Sequence, residues 1–464
     1  MRKMLDAPQS NGMDTLEMNE KGTRNGMGYQ QLNDRSVYNR ASSQAILSFV
    51  NNRQFLITES KALLTRLGQV KSFGLTMPMV PAAGISSIAQ QAIHEMIGSG
   101  VKEMEQKIHS FIQVMRAATD LSAAEAQKAF ALLKLKFNWL LDSLDIFADV
   151  LAMRSEHNTG IWLAGMDALA EDSLKLNEDY YQSPPLITYL DRGHGAAIRK
   201  ARTRLPGGKS NPVAVIRVPR ERMVSTGIAS SLVHEVGHQG ADLLGLVTSL
   251  REALMERASS EPGNKELWNW YARWISEIIS DFWSVALIGI GSSTGLINVV
   301  SVPSYFVFRL NTDDPHPPPW IRVRLSIAFG AALLPDQQWF RLRKLWDSLY
   351  PVELAGSGKM ETFKRLEALI PAFVGLVTHH RPAALRGKTL KEVFPLEDRQ
   401  PGQLRALYQK WNQREEVMKK ARPSLVFAVI GQARADQKMT PAQENQLLGN
   451  MLRYWALKRN IASI

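Results

Sequence analysis

The segment SSLVHEVGHQGADLLGL contains His234-Glu235-Val236-Gly237-His238. On a helix, side chains four residues apart share a face, so both imidazoles can reach one cation while Glu235 stands beside them. Two neutral nitrogen ligands and a neighbouring carboxylate suit zinc chemistry. The ion brings the pKa of a bound water toward neutrality, and the carboxylate takes the proton. With nine His in 464 residues, this spacing arises by chance in roughly one chain in a hundred, so composition does not account for it. The competing reading is a helix with two hydrogen-bonded core histidines. Apolar and small flanking residues suit a buried helix, and Gly237 and Gly240 permit a close backbone approach.

A catalytic zinc takes a third protein ligand and keeps one position open. Downstream, WISEIISDFWSVAL offers Glu277 as that ligand. Asp281, four residues on, is placed to hydrogen-bond the far nitrogen of a ligand histidine. The alternative is an acidic surface pair. The neighbours Trp274, Ile278, Phe282 and Trp283 argue for burial, and a buried carboxylate needs a partner. In DDPHPPPWIRV, a loop stiffened by three prolines presents His316 to a developing oxyanion, and Arg322 can orient a carboxylate or the substrate backbone. The plain alternative is a proline-rich turn with a surface ion pair. His94, His109, His157, His194, His379 and His380 have no spacing that demands a ligand role.

These groups need elements to hold them. Residues 45–180 read as helical, with a capping box at Ser122 and Glu125 ahead of a periodic run from Phe130 to Leu151. LITYL and VAVIRV, within 185–220, are the strand candidates. The PGGKS loop between them has Thr203 where a phosphate loop needs glycine, and Pro212 blocks the helix that should follow. Residues 336–464 read as helical again, with Trp339, Phe340, Leu342, Leu345 and Trp346 as core and Thr440, Pro441 and Gln443 starting the last helix. Residues 1–44 are polar and read as a disordered tail. The fold class expected is mainly α with a small β-sheet (α+β). A zincin-like core over 181–335 is flanked by helical regions over 45–180 and 336–464.

The ordered set His-Glu-x-x-His, Glu-x-x-x-Asp, then His-Pro-Pro with Arg six positions after that histidine, resembles gluzincin-type zinc endopeptidases, the family of the CAAX prenyl protease and the HtpX heat-shock protease. The resemblance spans about residues 185–330. It implies zinc held by His234, His238 and Glu277, with Glu235 as general base and Asp281 orienting a ligand histidine. It also implies that His316 and Arg322 act near the substrate, and that VAVIRV is the edge strand that pairs with an extended peptide. The chain lacks the clear transmembrane helices that such relatives often carry. Its activity would be zinc metallopeptidase, a hydrolase acting on a peptide or protein.

Composition narrows the field. The absence of cysteine excludes disulfides, thiolate ligands and a cysteine nucleophile. A net charge of +12 has basic clusters at Arg199–Arg204 and Lys419–Arg422, without a recognised nucleic-acid motif, so no nucleic-acid partner is expected. The uncharged stretch Phe282–Phe308 is interrupted by Gly, Ser, Asn and Pro. It reads as buried helix, turn and second buried segment rather than a span. A cytoplasmic location is expected, with membrane association or non-classical export as alternatives. Two other functions remain open. One is a non-enzymatic, zinc-stabilised helical adaptor or delivered effector. The other is a serine hydrolase using Ser293 in Gly291-Ser292-Ser293-Thr294-Gly295, with Asp313 or Asp314 and His316.

Overall fold

The computed structural model describes residues 52–70, 79–117, 121–191, 196–219, 225–311, 313–412 and 415–461. The tail reading of residues 1–44, and His194, lie outside them. Leu56–Ile464 is one compact unit, and the expected boundaries near 180 and 335 fall inside it.

Residues 52–70 form helix α1, followed by α2 (Ser87–Ala117) and α3 (Ala123–Ala152). Ile93, Ile97, Val101, Met104, Ile108 and Met115 give α2 a buried stripe at helical spacing. In α3 the Ser122 hydroxyl accepts from the Glu125 amide while the Glu125 carboxylate accepts from the Ser122 amide, closing the capping box. Phe130, Leu133, Phe137, Leu140, Leu144, Phe147 and Leu151 line its buried face, while Leu141 is half-buried.

Helix α4 (His157–Ser173) leads to β1 (Leu186–Asp191), β2 (Ala197–Arg199) and β3 (Ala214–Pro219). Among the described residues these make a three-stranded sheet of order β1-β3-β2, with β1 parallel and β2 antiparallel to β3. Alternation sends Leu186, Leu190, Ala214, Ile216 and Val218 into one apolar core and Ile187 and Val215 into the other. A strand buried on both faces reads as an almost unbroken apolar run. That is the pattern of a central strand, and it corrects the expectation that VAVIRV lies at an edge: among the described residues β1 and β2 are the edge strands.

The remaining helices are α5 (Thr226–Leu243), α6 (Leu246–Ser260), α7 (Lys265–Ile288), α8 (Ile290–Val300), α9 (Ser304–Val307) and α10 (Pro319–Leu333). They are followed by α11 (Gln337–Leu349), α12 (Ser357–His379), α13 (Pro401–Asn412), α14 (Glu415–Lys419), α15 (Pro423–Ala435) and α16 (Pro441–Ile461). Phe282–Phe308 folds as the end of α7, a turn at Gly289 (φ 59°), α8 and α9. No helix among the described residues is long and apolar enough to cross a membrane. In α11, Trp339, Leu342 and Trp346 are buried as expected. Phe340 and Leu345 are not core but exposed, because they flank the solvent side of the helix and the core-facing arc is already filled.

One buried network ties the sheet to α4 and to α16. Arg154 and Asp167, both with fully buried side chains, pair at 3.0 Å. Asp167 also accepts from the Thr188 amide (2.7 Å) and hydroxyl (2.8 Å) and from Arg459 of α16 (3.1 Å). Arg154 donates to the Thr188 carbonyl at 2.7 Å. Removing one partner leaves an uncompensated charge in the core. Asp167→Ala is expected to cost about 3–5 kcal/mol, measured by urea unfolding against the wild type.

Candidate metal centre

Helix α5 carries the His pair and α7 carries the acids, and glycines decide how near they come. A Cβ on Gly237 would stand 2.9 Å from the Ser280 Cα, and one on Gly240 would stand 2.3 Å from the Trp283 ring. Trp283 is fully buried, and its indole N–H donates to the Ser173 carbonyl at 2.9 Å, so the ring has little room to yield. The bare face of α5 therefore seats directly on α7. The start of α5 is held from the far end of the chain. Glu444 of α16 accepts from the Thr226 amide (2.7 Å) and hydroxyl (2.6 Å), capping free donors at a helix N-terminus that favours negative charge.

This docking brings His234, His238 and Glu277 together, with one ligand atom from each within 4.8 Å of the others. The Glu277 carboxylate lies 3.4 Å from the His234 Nε2 and 3.4 Å from the His238 Nε2. Ligand atoms about 2.0–2.1 Å from a tetrahedral ion are spaced about 3.4 Å apart, which each imidazole-to-carboxylate distance matches, one through each Glu277 oxygen. Both imidazoles have their other nitrogen engaged. The His234 Nδ1 lies 2.8 Å from Asp281 Oδ1, and the His238 Nδ1 lies 3.3 Å from the Ser276 hydroxyl. Such partners hold a ring's orientation and leave Nε2 for the ion.

Arg322 reaches in from α10. Its Nε and Nη2 donate to the Asp281 carboxylate at 2.7 and 3.0 Å, and Nη2 lies 3.3 Å from Glu277. Of the two roles the sequence suggested, orienting a carboxylate or the substrate backbone, the guanidinium takes the first and is committed to the two acids. His316 is half exposed. Its Nδ1 is held by Asp314 at 2.8 Å, and its Nε2 stands 3.5 Å from Glu277. Glu235, buried to 8% exposure, lines the same cleft of about 190 Å³ with His234, Glu277, His316 and Arg322. A larger groove of about 1060 Å³, between α10, α11 and α12, contains none of these residues.

The charges brace one another. Burial alone would depress the His234 pKa, but the facing Asp281 and Glu277 carboxylates lift it to about 10. Burial pushes the Glu277 and Asp281 carboxyls up, and this is overcome. Contacts with His234 and His238 hold Glu277 far below the usual carboxylate range, and Arg322 with His234 holds Asp281 down. Burial also opposes charge on Arg322, and Asp281 more than restores it.

Sequence reasoning missed Ser276, Asp314 as the partner of His316, and Glu444. Ser276 directly precedes Glu277, which was its only signal. Glu444 had none, since its contact spans 218 residues. Ser293 is placed otherwise than a nucleophile elbow requires. It is fully buried inside α8, not at a strand-to-helix turn, and its hydroxyl lies 2.7 Å from that of Ser326. Comparison of the chain with protein families, with curated proteins and with solved structures returns no match.

Two outcomes follow from this geometry. An ion takes the neutral form of His234, whose folded pKa is about 10, so loading near pH 7 should release a proton and affinity should rise with pH up to that value. Calorimetry in buffers of different ionisation enthalpy measures that proton. Ser276→Ala and Asp281→Asn should each weaken zinc affinity by about 10–100-fold, read by competition with a chromophoric chelator.

Proposed function

We propose that the chain is a zinc-dependent metalloendopeptidase. The observation that carries this reading is the convergence of His234, His238 and Glu277 at ion-binding spacing with Glu235 in the same cleft. Two imidazoles and a carboxylate are a zinc donor set. Among the described residues the group has three protein ligands rather than the four of a closed structural site, which would leave a position for solvent. The order of motifs through Asp281, His316 and Arg322 adds the resemblance to the CAAX prenyl protease and HtpX family.

When bound, zinc supplies Lewis acidity and a water of lowered pKa. Glu235 would take a proton from the attacking water and hand it to the leaving amine. His316, its Nδ1 held by Asp314, offers Nε2 as donor to the oxyanion of the attacked carbonyl. Arg322 acts through Asp281 and Glu277 and is a positioning residue. An extended peptide would pair with β2. Among the described residues that strand is hydrogen-bonded on one side only, and Ala196, just before it, lines the cleft.

The decisive experiment measures bound metal and peptide hydrolysis together. Glu235→Gln should keep zinc at wild-type stoichiometry and lose about 10²–10⁴-fold in turnover. His238→Ala should lose both. A chelator should abolish activity, and added zinc should restore it. Unchanged hydrolysis by Glu235→Gln would remove the mechanism. Zinc bound by wild type without hydrolysis of any peptide library would favour the adaptor reading.

A further inference from the structure

The cleft beside the metal centre has a wall that carries none of the donors. Ser292, Leu296 and Val299 of α8 line it, together with Ser231, His234 and Glu235 of α5. Their spacing of i, i+4 and i+7 puts the three α8 residues on one face of that helix. Ser292 is buried, while Leu296 and Val299 are half-buried. The two apolar side chains therefore bound the space that a substrate group beside the ion would enter.

This wall has little freedom to give way. A Cβ on Gly295 would stand 2.8 Å from the Ser230 Cβ and 3.1 Å from the Gly227 Cα, so α8 lies against α5 with no side chain between them. A Cβ on Gly431 of α15 would stand 3.1 Å from the Gly291 Cα, so α15 approaches α8 as closely. The Ser292 hydroxyl donates to that of Ser284 at 2.8 Å and ties α8 to α7. The Ser293 and Ser326 hydroxyls, 2.7 Å apart, tie it to α10. A helix held by four others in a close-packed interior transmits strain rather than yielding to a bulky ligand.

At about 30 Å³ for each water-sized group, a cleft of about 190 Å³ holds roughly six of them. The ion, the attacking water and the carbonyl and amide of the scissile bond take about four, which leaves space for a side chain of roughly two or three heavy atoms. Any further group lining the cleft would narrow it, so this is an upper limit. We infer that α8 selects the substrate by size. The side chain that enters the cleft next to the cleaved bond is no larger than that of valine, and Leu296 and Val299 set the limit. This inference rests on the peptidase reading and names its substrate class: peptides with Gly, Ala, Ser or Val at one position flanking the bond.

The test is cleavage of a peptide library varied at both positions flanking the bond, with fluorescence-anisotropy binding of the same peptides to zinc-loaded Glu235→Gln protein. At one of the two positions, wild type should disfavour Leu, Phe and Trp against Ala by about tenfold or more in kcat/KM, since one methylene in a fitted pocket is worth about 10–200-fold. Val299→Ala should raise kcat/KM for Leu at that position by about tenfold or more and leave the Ala substrate unchanged. Val299→Phe should shift the limit the other way, losing Val and keeping Gly. Peptide affinities, measured with each Val299 change added to Glu235→Gln, should follow the same order. Unchanged zinc content and circular dichroism spectra assign these shifts to the cleft. Equal cleavage of Phe and Ala at both positions, or a preference that neither Val299 variant moves, would overturn the inference and leave the peptidase reading standing. Zinc bound without hydrolysis of any peptide would remove that reading and this inference with it.

Discussion

The contact of α5 with α7 at Gly237 and Gly240 is the constraint on which the site depends. Two helices approach this closely only where one carries no side chains. Trp283 fills the space left by Gly240, and the Ser280 backbone lies under Gly237. Because His234 and His238 share α5 with these glycines, and Glu277 and Asp281 share α7 with Ser280 and Trp283, the seating of one helix on the other sets every distance between donors. The glycines and histidines alternate within seven residues, so packing and chemistry cannot vary independently. The excursion through α6 lets the chain return antiparallel and close.

Around that contact, the protein keeps four charged or chargeable groups in a confined space. Buried ions are costly unless they are paired and hydrogen-bonded. Here two carboxylates, Glu277 and Asp281, face His234 and Arg322, with distances of 2.7–3.5 Å among them. Asp281 bridges the imidazole and the guanidinium and so turns the ring while it anchors α10. Helix α16 contributes to rigidity at two places. Glu444 caps α5, and Arg459 shares Asp167 with Arg154 beneath β1. The site is thus built on helices whose ends are tied, with His316 alone presented from a loop.

Much of this was legible in the residues. A four-residue spacing on a helix encodes a shared face, so the pairs His234 and His238, and Glu277 and Asp281, could be recognised without coordinates. The capping boxes at Ser122 and Thr440 and both strand segments were equally local signals. Errors came where the answer depended on neighbours. VAVIRV has the composition of any buried strand, and only its pairing with both β1 and β2 makes it central. Phe340 and Leu345 have core-like side chains but lie beyond the arc that α11 turns inward. Ser293 fits a nucleophile motif, yet α8 buries it.

Sequence by itself determined the donor types, their spacing along each helix, and the helical character of most of the chain, because these follow from backbone periodicity over a few residues. Tertiary structure alone decided that His and Glu donors from α5 and α7 converge to 3.4 Å. It also decided that Arg322 pairs with Asp281, that Ser276 rather than an acid partners His238, and that a residue of the last helix caps the first helix of the site. Those facts depend on how helices far apart in the chain pack, and side-chain shape at the contact sets that packing. Local periodicity carries no information about it.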